Sequence, residues 1–286
     1  MIVVKIKGGL GNQMFQYACG RSVALAKNDT LKLDLSSLSS SSGKDTARDY
    51  KLDNFNILEH IASPKEKTEA EHRSSKTSLI KRVFRKAFGT PVSEPTLEKI
   101  LKSHASYLDG FWQSERYFKA IEETLRIEFT LKRSVSAGAS KWFPIIANNT
   151  SLAVHVRRGD YVSDPATRDF HGLCSPDYYH QAIKMLSEKT REQFKVFVFS
   201  DDIEWVKQNL NFSRETYFVS GEGLSDFEEM HLMSLCDHQI IANSSFSWWA
   251  AWLNKNESKI VIAPKKWFAG SSENSDNIVP DEWIKI

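Results

Sequence analysis

Residues 151–161 read Ser-Leu-Ala-Val-His-Val-Arg-Arg-Gly-Asp-Tyr. Leu152, Val154 and Val156 alternate along an apolar run, the pattern of a buried strand. The run ends in Arg157, Arg158, Gly159 and Asp160. An open α/β sheet presents polar groups at the carboxyl ends of its strands in this way, and ligands bind there. Two guanidiniums suit an anion, because each offers a planar fork of donors matching phosphate oxygens. Asp160 is then either their internal partner or a base. A surface turn with a local ion pair would look the same from this stretch alone, so the reading depends on the rest of the chain.

Towards the C-terminus, strands and helices alternate. A helix is expected over 176–186. A strand over 195–199 runs into Ser200-Asp201-Asp202 and a helix over 203–210. A strand over 216–219 precedes a helix over 226–235. A strand over 239–242 runs into Asn243-Ser244-Ser245 and a helix over 246–253, and a strand over 259–263 closes the set at Pro264. This alternation predicts a parallel, doubly wound sheet. All its strands point one way, so three polar clusters converge on one edge: Arg157/Arg158/Asp160, Ser200/Asp201/Asp202 and Asn243/Ser244/Ser245. One basic, one acidic and one hydroxyl-rich cluster can bind the phosphates, base and ribose of a nucleotide.

Each cluster also has a plainer reading. Ser200-Asp201-Asp202 is a good helix N-cap with favourable charge in the first turn, and Asn243-Ser244-Ser245 can cap the next helix. The acidic pair could ligate a metal, but no third ligand is apparent in the sequence, and no metal is expected. The helix carrying Phe246, Trp248, Trp249 and Trp252 must be largely buried. A lone strand histidine such as His155 is more often hydrogen-bonded core than a catalyst. Three clusters on one edge favour a nucleotide site over three unrelated caps.

Towards the N-terminus, a strand over 2–6 is followed by Gly8-Gly9-Leu10-Gly11-Asn12-Gln13, a helix to about residue 27 and a strand over 30–35. Strand, glycine turn and helix can aim backbone N–H groups at an anion, or form a tight turn with no ligand. The spacing is not a full dinucleotide fingerprint, since Met14 takes the third glycine position, and no P-loop lysine follows. Residues 38–49 and 65–95 are mostly polar. Within the latter, Leu79, Ile80, Val83, Phe84, Ala87 and Phe88 share one helical face, and Lys81, Arg82, Arg85 and Lys86 the other. Such a helix packs on its own domain with a solvated basic face, or lies on an anionic membrane. A strand near 107 leads into Phe111-Trp112, an aromatic pair that could stack on a sugar ring or be core. Residues 141–149, with Pro144 and two asparagines, read as an inter-domain linker.

The 286 residues suffice for two modest domains, and 41% hydrophobic with 26% charged residues is an ordinary globular composition. A net charge of +2 argues against a dedicated nucleic-acid binder. Cys19, Cys174 and Cys236 form neither a disulfide framework nor a zinc spacing, and imply reduced thiols in a cytosol. No signal-peptide core and no apolar run long enough to span a membrane is present.

Three motifs together carry a resemblance. Gly8-Gly-Leu-Gly-Asn-Gln-Met-Phe-Gln-Tyr-Ala18, His155-Val-Arg-Arg-Gly-Asp-Tyr161 and Ala242-Asn-Ser-Ser-Phe-Ser-Trp-Trp-Ala-Ala-Trp252 resemble, in order, the bacterial α-1,2-fucosyltransferases of glycosyltransferase family 11. The resemblance implies an α/β, GT-B-like fold of two facing Rossmann-like domains with a central cleft. Residues 1–147 would form the acceptor-side domain with an insertion, and 148–286 the GDP-sugar-binding domain. It implies GDP-β-L-fucose as donor, inversion, no cofactor and no required metal. The acceptor would be the 2-hydroxyl of a galactoside, in an oligosaccharide or a lipid-linked O-antigen-type glycan. A cytoplasmic enzyme is the matching expectation, with peripheral contact at the inner membrane face as the alternative that the basic 79–88 face leaves open. On this reading Arg157 and Asp160 are the catalytic candidates, with Arg157 on the β-phosphate. The arginines would, however, lower the Asp160 pKa and weaken it as a base. His155, Arg158, Ser200, Asp201, Asp202, Asn243, Ser244, Ser245 and Phe246 are donor-side candidates, with Asp201 or Asp202 accepting from guanine. Gly9, Gly11, Asn12, Gln13 and Trp112 are candidates for the cleft or acceptor.

Overall fold

A computed structural model describes residues 1–38, 48–74, 94–159, 162, 169–170, 172–221, 223–269 and 277–286. Asp160 and the amphipathic 79–88 segment lie outside the described residues. Contacts divide the chain into two units, Met1–Arg133 and Ser134–Ile286.

In the first unit, Ile2, Val3 and Val4 are β-branched and buried, and form strand β1 (Ile2–Lys5). Helix α1 (Leu10–Ala26) follows, then β2 (Leu31–Asp34) and, after a long excursion, β3 (Tyr107–Leu108). The sheet order is β2-β1-β3, with both pairings parallel. Helix α1 is buried almost all round, as its composition requires. It can lie close to the sheet because a Cβ at Gly20 would stand 2.9 Å from Leu31 Cδ1 and 3.0 Å from Val4 Cγ1.

In the second unit a one-turn helix, Ala137–Ser140, leads into α2 (Trp142–Ala147). The linker reading of 141–149 is therefore corrected. Trp142 is buried, edge-on to Phe197 and Tyr217 at 6.5 and 6.1 Å, so this segment covers the second unit's sheet. Then follow β4 (Ser151–Val156), α3 (Pro176–Thr190), β5 (Lys195–Ser200), α4 (Ile203–Asn209), β6 (Thr216–Phe218), α5 (Asp226–Leu235), β7 (His238–Ile240), α6 (Ser245–Leu253), β8 (Val261–Ala263) and β9 (Ile284–Lys285). The sheet order is β6-β5-β4-β7-β8-β9, every pairing parallel. Counted from β4 this is the 3-2-1-4-5-6 order of dinucleotide-binding sheets. All six residues of β4 are buried, as expected for the central strand of a sheet covered on both faces. Among the described residues, no helix is long and apolar enough to cross a membrane.

Candidate active site

Crossovers from β4 lead to one side of the sheet through β5 and β6, and the later strands lie on the other side. The strand order therefore reverses between the parallel neighbours β4 and β7, and the crevice outside their carboxyl ends is where such sheets bind ligands. His155, Arg157 and Arg158 stand on one side of that point and Asn243, Ser244 and Ser245 on the other.

Register decides the partners of the arginines. Parallel pairing sets Val156 beside Ser200, so the next residues along, Arg157 and Arg158, meet Asp201 and Asp202. Arg157 Nη1 lies 2.8 Å from Asp201 Oδ2, and Arg158 Nε lies 3.1 Å from Asp202 Oδ2. The Arg158 backbone N–H also donates to Asp201 Oδ1 at 2.8 Å. A Cβ at Gly159 would stand 2.5 Å from Asp201 Oδ2, so only glycine permits this approach. The Arg158 guanidinium lies 3.6 Å from the centre of the Trp205 ring, a stacked cation–π contact. The two arginine side chains remain 27% and 17% exposed, so each is held in place yet reachable.

The carboxylates suggested as guanine acceptors therefore have another duty here: they position the arginines. Asp202 also caps α4 by accepting from the Trp205 N–H at 3.3 Å. Behind them, Ser200 Oγ accepts from the Asp202 N–H at 3.0 Å, and the Ser200 N–H donates to Ser220 Oγ at 2.9 Å. Ser220 in turn donates to Glu229 Oε2 at 2.8 Å. Burial raises the Glu229 carboxyl; the Ser220 hydrogen bond opposes it, the nearby Asp226 and Asp201 charges add to it, and the pKa stands at about 7.

His155 is a buried, neutral imidazole. Burial first, and then the Arg157 charge, push its pKa down to about 3. Among the described residues its buried Nδ1 has no hydrogen-bond partner, and its ring lies 5.4 Å from that of Phe246. Asn243 is buried and donates to the Trp267 and Gly172 carbonyls at 3.2 and 3.4 Å, which ties two loops to the end of β7. Ser244 is the N-cap of α6, its hydroxyl accepting from the Phe246 N–H at 3.4 Å. Ser245 and Phe246 are half-buried in the first turn of that helix. A cavity of about 580 Å³ at the amino end of the same sheet, lined in part by Asn149, Asp237 and His238, lies away from these groups.

The first unit's candidates separate. Gln13 is buried, donating to the Gly8 and Asp49 carbonyls at 2.9 and 2.8 Å and accepting from the Lys51 N–H at 3.0 Å. It holds the turn together. Asn12 Oδ1 accepts from Gln113 Nε2 at 2.7 Å. Gly9 is the exposed N-cap of α1, and Gly11 is buried. Trp112 is only 4% exposed and packs edge-on against Tyr117 at 5.3 Å, a core position. Sequence reasoning missed Trp205, Ser220 and Glu229. An aromatic residue three positions after an N-cap aspartate was the available signal for Trp205. Among the described residues, no group of three or more His, Cys, Asp or Glu side chains is placed to hold a metal ion.

Two solved fucosyltransferase structures share the fold. The fucosyltransferase NodZ from Bradyrhizobium aligns with a TM-score of 0.51 at 14% identity, over 87% of this chain and 92% of its own. A mutant of Arabidopsis thaliana FUT1 in complex with GDP aligns with a TM-score of 0.51 at 14% identity, over 91% of this chain and 69% of its own. Two parallel α/β units, one with an arginine fork at its switch point, are arranged in the GT-B-like fold of these structures. The chain belongs to glycosyl transferase family 11, whose profile matches residues 1–286. It is 38% identical to an Escherichia coli alpha-1,2-colitosyltransferase, over 100% of this chain and 99% of that protein. It is 32% identical to the Escherichia coli O-antigen biosynthesis glycosyltransferase WbnK, over 98% and 99%. A galactoside alpha-(1,2)-fucosyltransferase 1 of Saimiri boliviensis boliviensis matches at 30% identity over 51% of this chain and 42% of its own length.

Proposed function

We propose that this chain is an inverting, metal-independent transferase that moves L-fucose from GDP-β-L-fucose to the 2-hydroxyl of a galactoside during surface-glycan synthesis. The observation that carries the reading is the Arg157 fork at the carboxyl end of β4, held by Asp201 at 2.8 Å. In the reaction the bond from the anomeric carbon to the β-phosphate oxygen breaks. The acceptor oxygen forms a bond on the opposite face, and the acceptor proton passes to a base. Negative charge grows on the departing GDP. A guanidinium already aimed at that position stabilises the transition state without reorganising. Arg158, stacked on Trp205 and bonded to Asp202, keeps the loop in register. The first turn of α6, with Ser244 and Ser245, offers backbone N–H groups to phosphate oxygens. His155, being neutral and buried, can hydrogen-bond the nucleotide without adding charge. Asp160, which follows the two arginines in the sequence, is retained as a candidate site residue. The acceptor galactoside would be free or lipid-linked, and the location cytoplasmic.

A second reading keeps the chemistry and changes the sugar. The full-length 38% identity to a colitosyltransferase supports a related GDP-deoxysugar as donor. A non-catalytic GDP-sugar-binding module is the third possibility. The test is GDP release from GDP-fucose and from GDP-colitose, with and without lactose or N-acetyllactosamine, in excess EDTA. Acceptor-dependent release with GDP-fucose and an α-1,2 product is expected. Release only with GDP-colitose would replace fucose with colitose. Tight GDP binding with no turnover across donors and acceptors would overturn the enzyme reading.

A further inference from the structure

The first unit has a switch point of its own. Helix α1 carries the chain from β1 to β2 on one side, and β3 lies on the other. The crevice outside the carboxyl ends of β1 and β3 is therefore a ligand position by the rule that located the arginine fork. One step beyond the Val4 to Leu108 pairing, Lys5 stands opposite Asp109, and the two residues pair at 3.1 Å. Lys7 reaches the other carboxylate oxygen at 2.8 Å, and its ammonium lies 4.8 Å from the centre of the Phe111 ring. Burial raises the Asp109 carboxyl, but the Lys7 hydrogen bond and the Lys7 and Lys5 charges outweigh it, so the group lies below its ordinary value and is ionised.

The loop that presents Phe111 is pinned. The Phe111 and Trp112 N–H groups both donate to the Glu94 carboxylate, the latter at 2.9 and 3.0 Å. Trp112 sits at φ +56°, a left-handed conformation that costs a non-glycine residue roughly 1–2 kcal/mol and persists only when its surroundings impose it. That conformation turns the larger ring inward, where it is 4% exposed, and leaves Phe111 42% exposed. Gln113, bonded to Asn12, closes the loop against the βα turn. The result is an exposed phenyl ring on a fixed backbone, with a carboxylate and an ammonium beside it.

We propose that the Phe111 ring and the Lys7–Asp109 pair form the sub-site for the acceptor's galactose ring, a proposal that rests on the galactoside reading above. A galactopyranoside has an axial 4-hydroxyl, which leaves contiguous C–H bonds on the opposite face as an apolar patch. An aromatic face covers that patch. The carboxylate accepts from sugar hydroxyls and the ammonium donates to them, so orientation comes from a few placed polar groups beside an apolar wall. Trp112, the aromatic residue singled out from sequence, supports this platform from the core.

The test uses the full chain with GDP-fucose and N-acetyllactosamine. Phe111→Ala should raise the acceptor KM by roughly tenfold, about 1.4 kcal/mol, with GDP affinity and melting temperature unchanged. Phe111→Trp should restore the acceptor KM, and Asp109→Asn should raise it. An acceptor KM within about twofold of the parent in Phe111→Ala, or a parallel loss of GDP affinity, would overturn the sub-site. If the parent chain shows no acceptor-dependent turnover, the galactoside reading fails separately. Saturation-transfer NMR of the GDP-loaded chain with the same disaccharide then decides. A transfer signal seen in the parent and absent in Phe111→Ala supports the sub-site. No transfer signal in the parent, or an unchanged one in the variant, overturns it.

Discussion

Arg157→Ala removes the guanidinium while leaving its surroundings largely in place. Asp201, which accepts from Arg157 Nη1 at 2.8 Å, keeps the Arg158 backbone N–H at the same distance. Arg158 keeps its bond to Asp202 and its stack on Trp205. Burial is the larger cause of the low His155 pKa, so the imidazole stays neutral in the variant. The lesion is thus centred on one preorganised donor. Removing such a donor costs about 2.7–4 kcal/mol of transition-state stabilisation, on the order of 100- to 1000-fold in kcat. Arg157→Lys, which keeps the charge and loses the fork, should fall between the parent and the alanine variant. The assay is steady-state GDP release over a donor series, with GDP affinity measured by calorimetry. A fall in kcat at near-constant donor KM marks a contact made in the transition state. A kcat within threefold of the parent would refute the assignment, as would a loss confined to KM and GDP affinity.

Three further outcomes are expected. Gly159→Ala places a Cβ 2.5 Å from Asp201 Oδ2, so the loop must shift; denaturant melts should show a loss of roughly 1–3 kcal/mol, and turnover should fall with it. Trp205→Ala withdraws the surface under Arg158; a cation–π contact of about 0.5–2 kcal/mol predicts a drop of roughly 2- to 30-fold in kcat/KM, largely restored by Trp205→Phe. Glu229 is held at about pKa 7 in the folded chain, above its ordinary value. Between the two values the folded state binds more protons than the unfolded one, so this group lowers stability as pH rises from about 4.5 to about 7. The stability of Glu229→Gln relative to the parent should accordingly be greater at pH 8 than at pH 5 in urea melts, and equal differences at both pH values would refute the shift.

The sequence by itself determined the alternating architecture and the edge at which the polar loops gather. Strands such as 195–199 and helices such as 226–235 declare themselves through apolar runs, periodicity and caps, all local properties. The parallel direction follows from the alternation, and with it the convergence of Arg157, Asp201 and Ser244 on one side. Only the tertiary structure decided who pairs with whom. Asp201 and Asp202 read as helix caps or as base readers until the Val156 to Ser200 register set them against the two arginines. Register joins residues more than 40 positions apart, and no local pattern encodes it. The 141–149 segment looks like a linker because its short apolar run has no visible partner; that partner is Phe197 and Tyr217, far along the chain. Strand β9 spans two residues, too short for any periodicity, and exists because β8 offers it an edge. Neighbouring aromatics Phe111 and Trp112 were alike in sequence. A left-handed backbone at Trp112, fixed by Glu94, buried one ring and exposed the other.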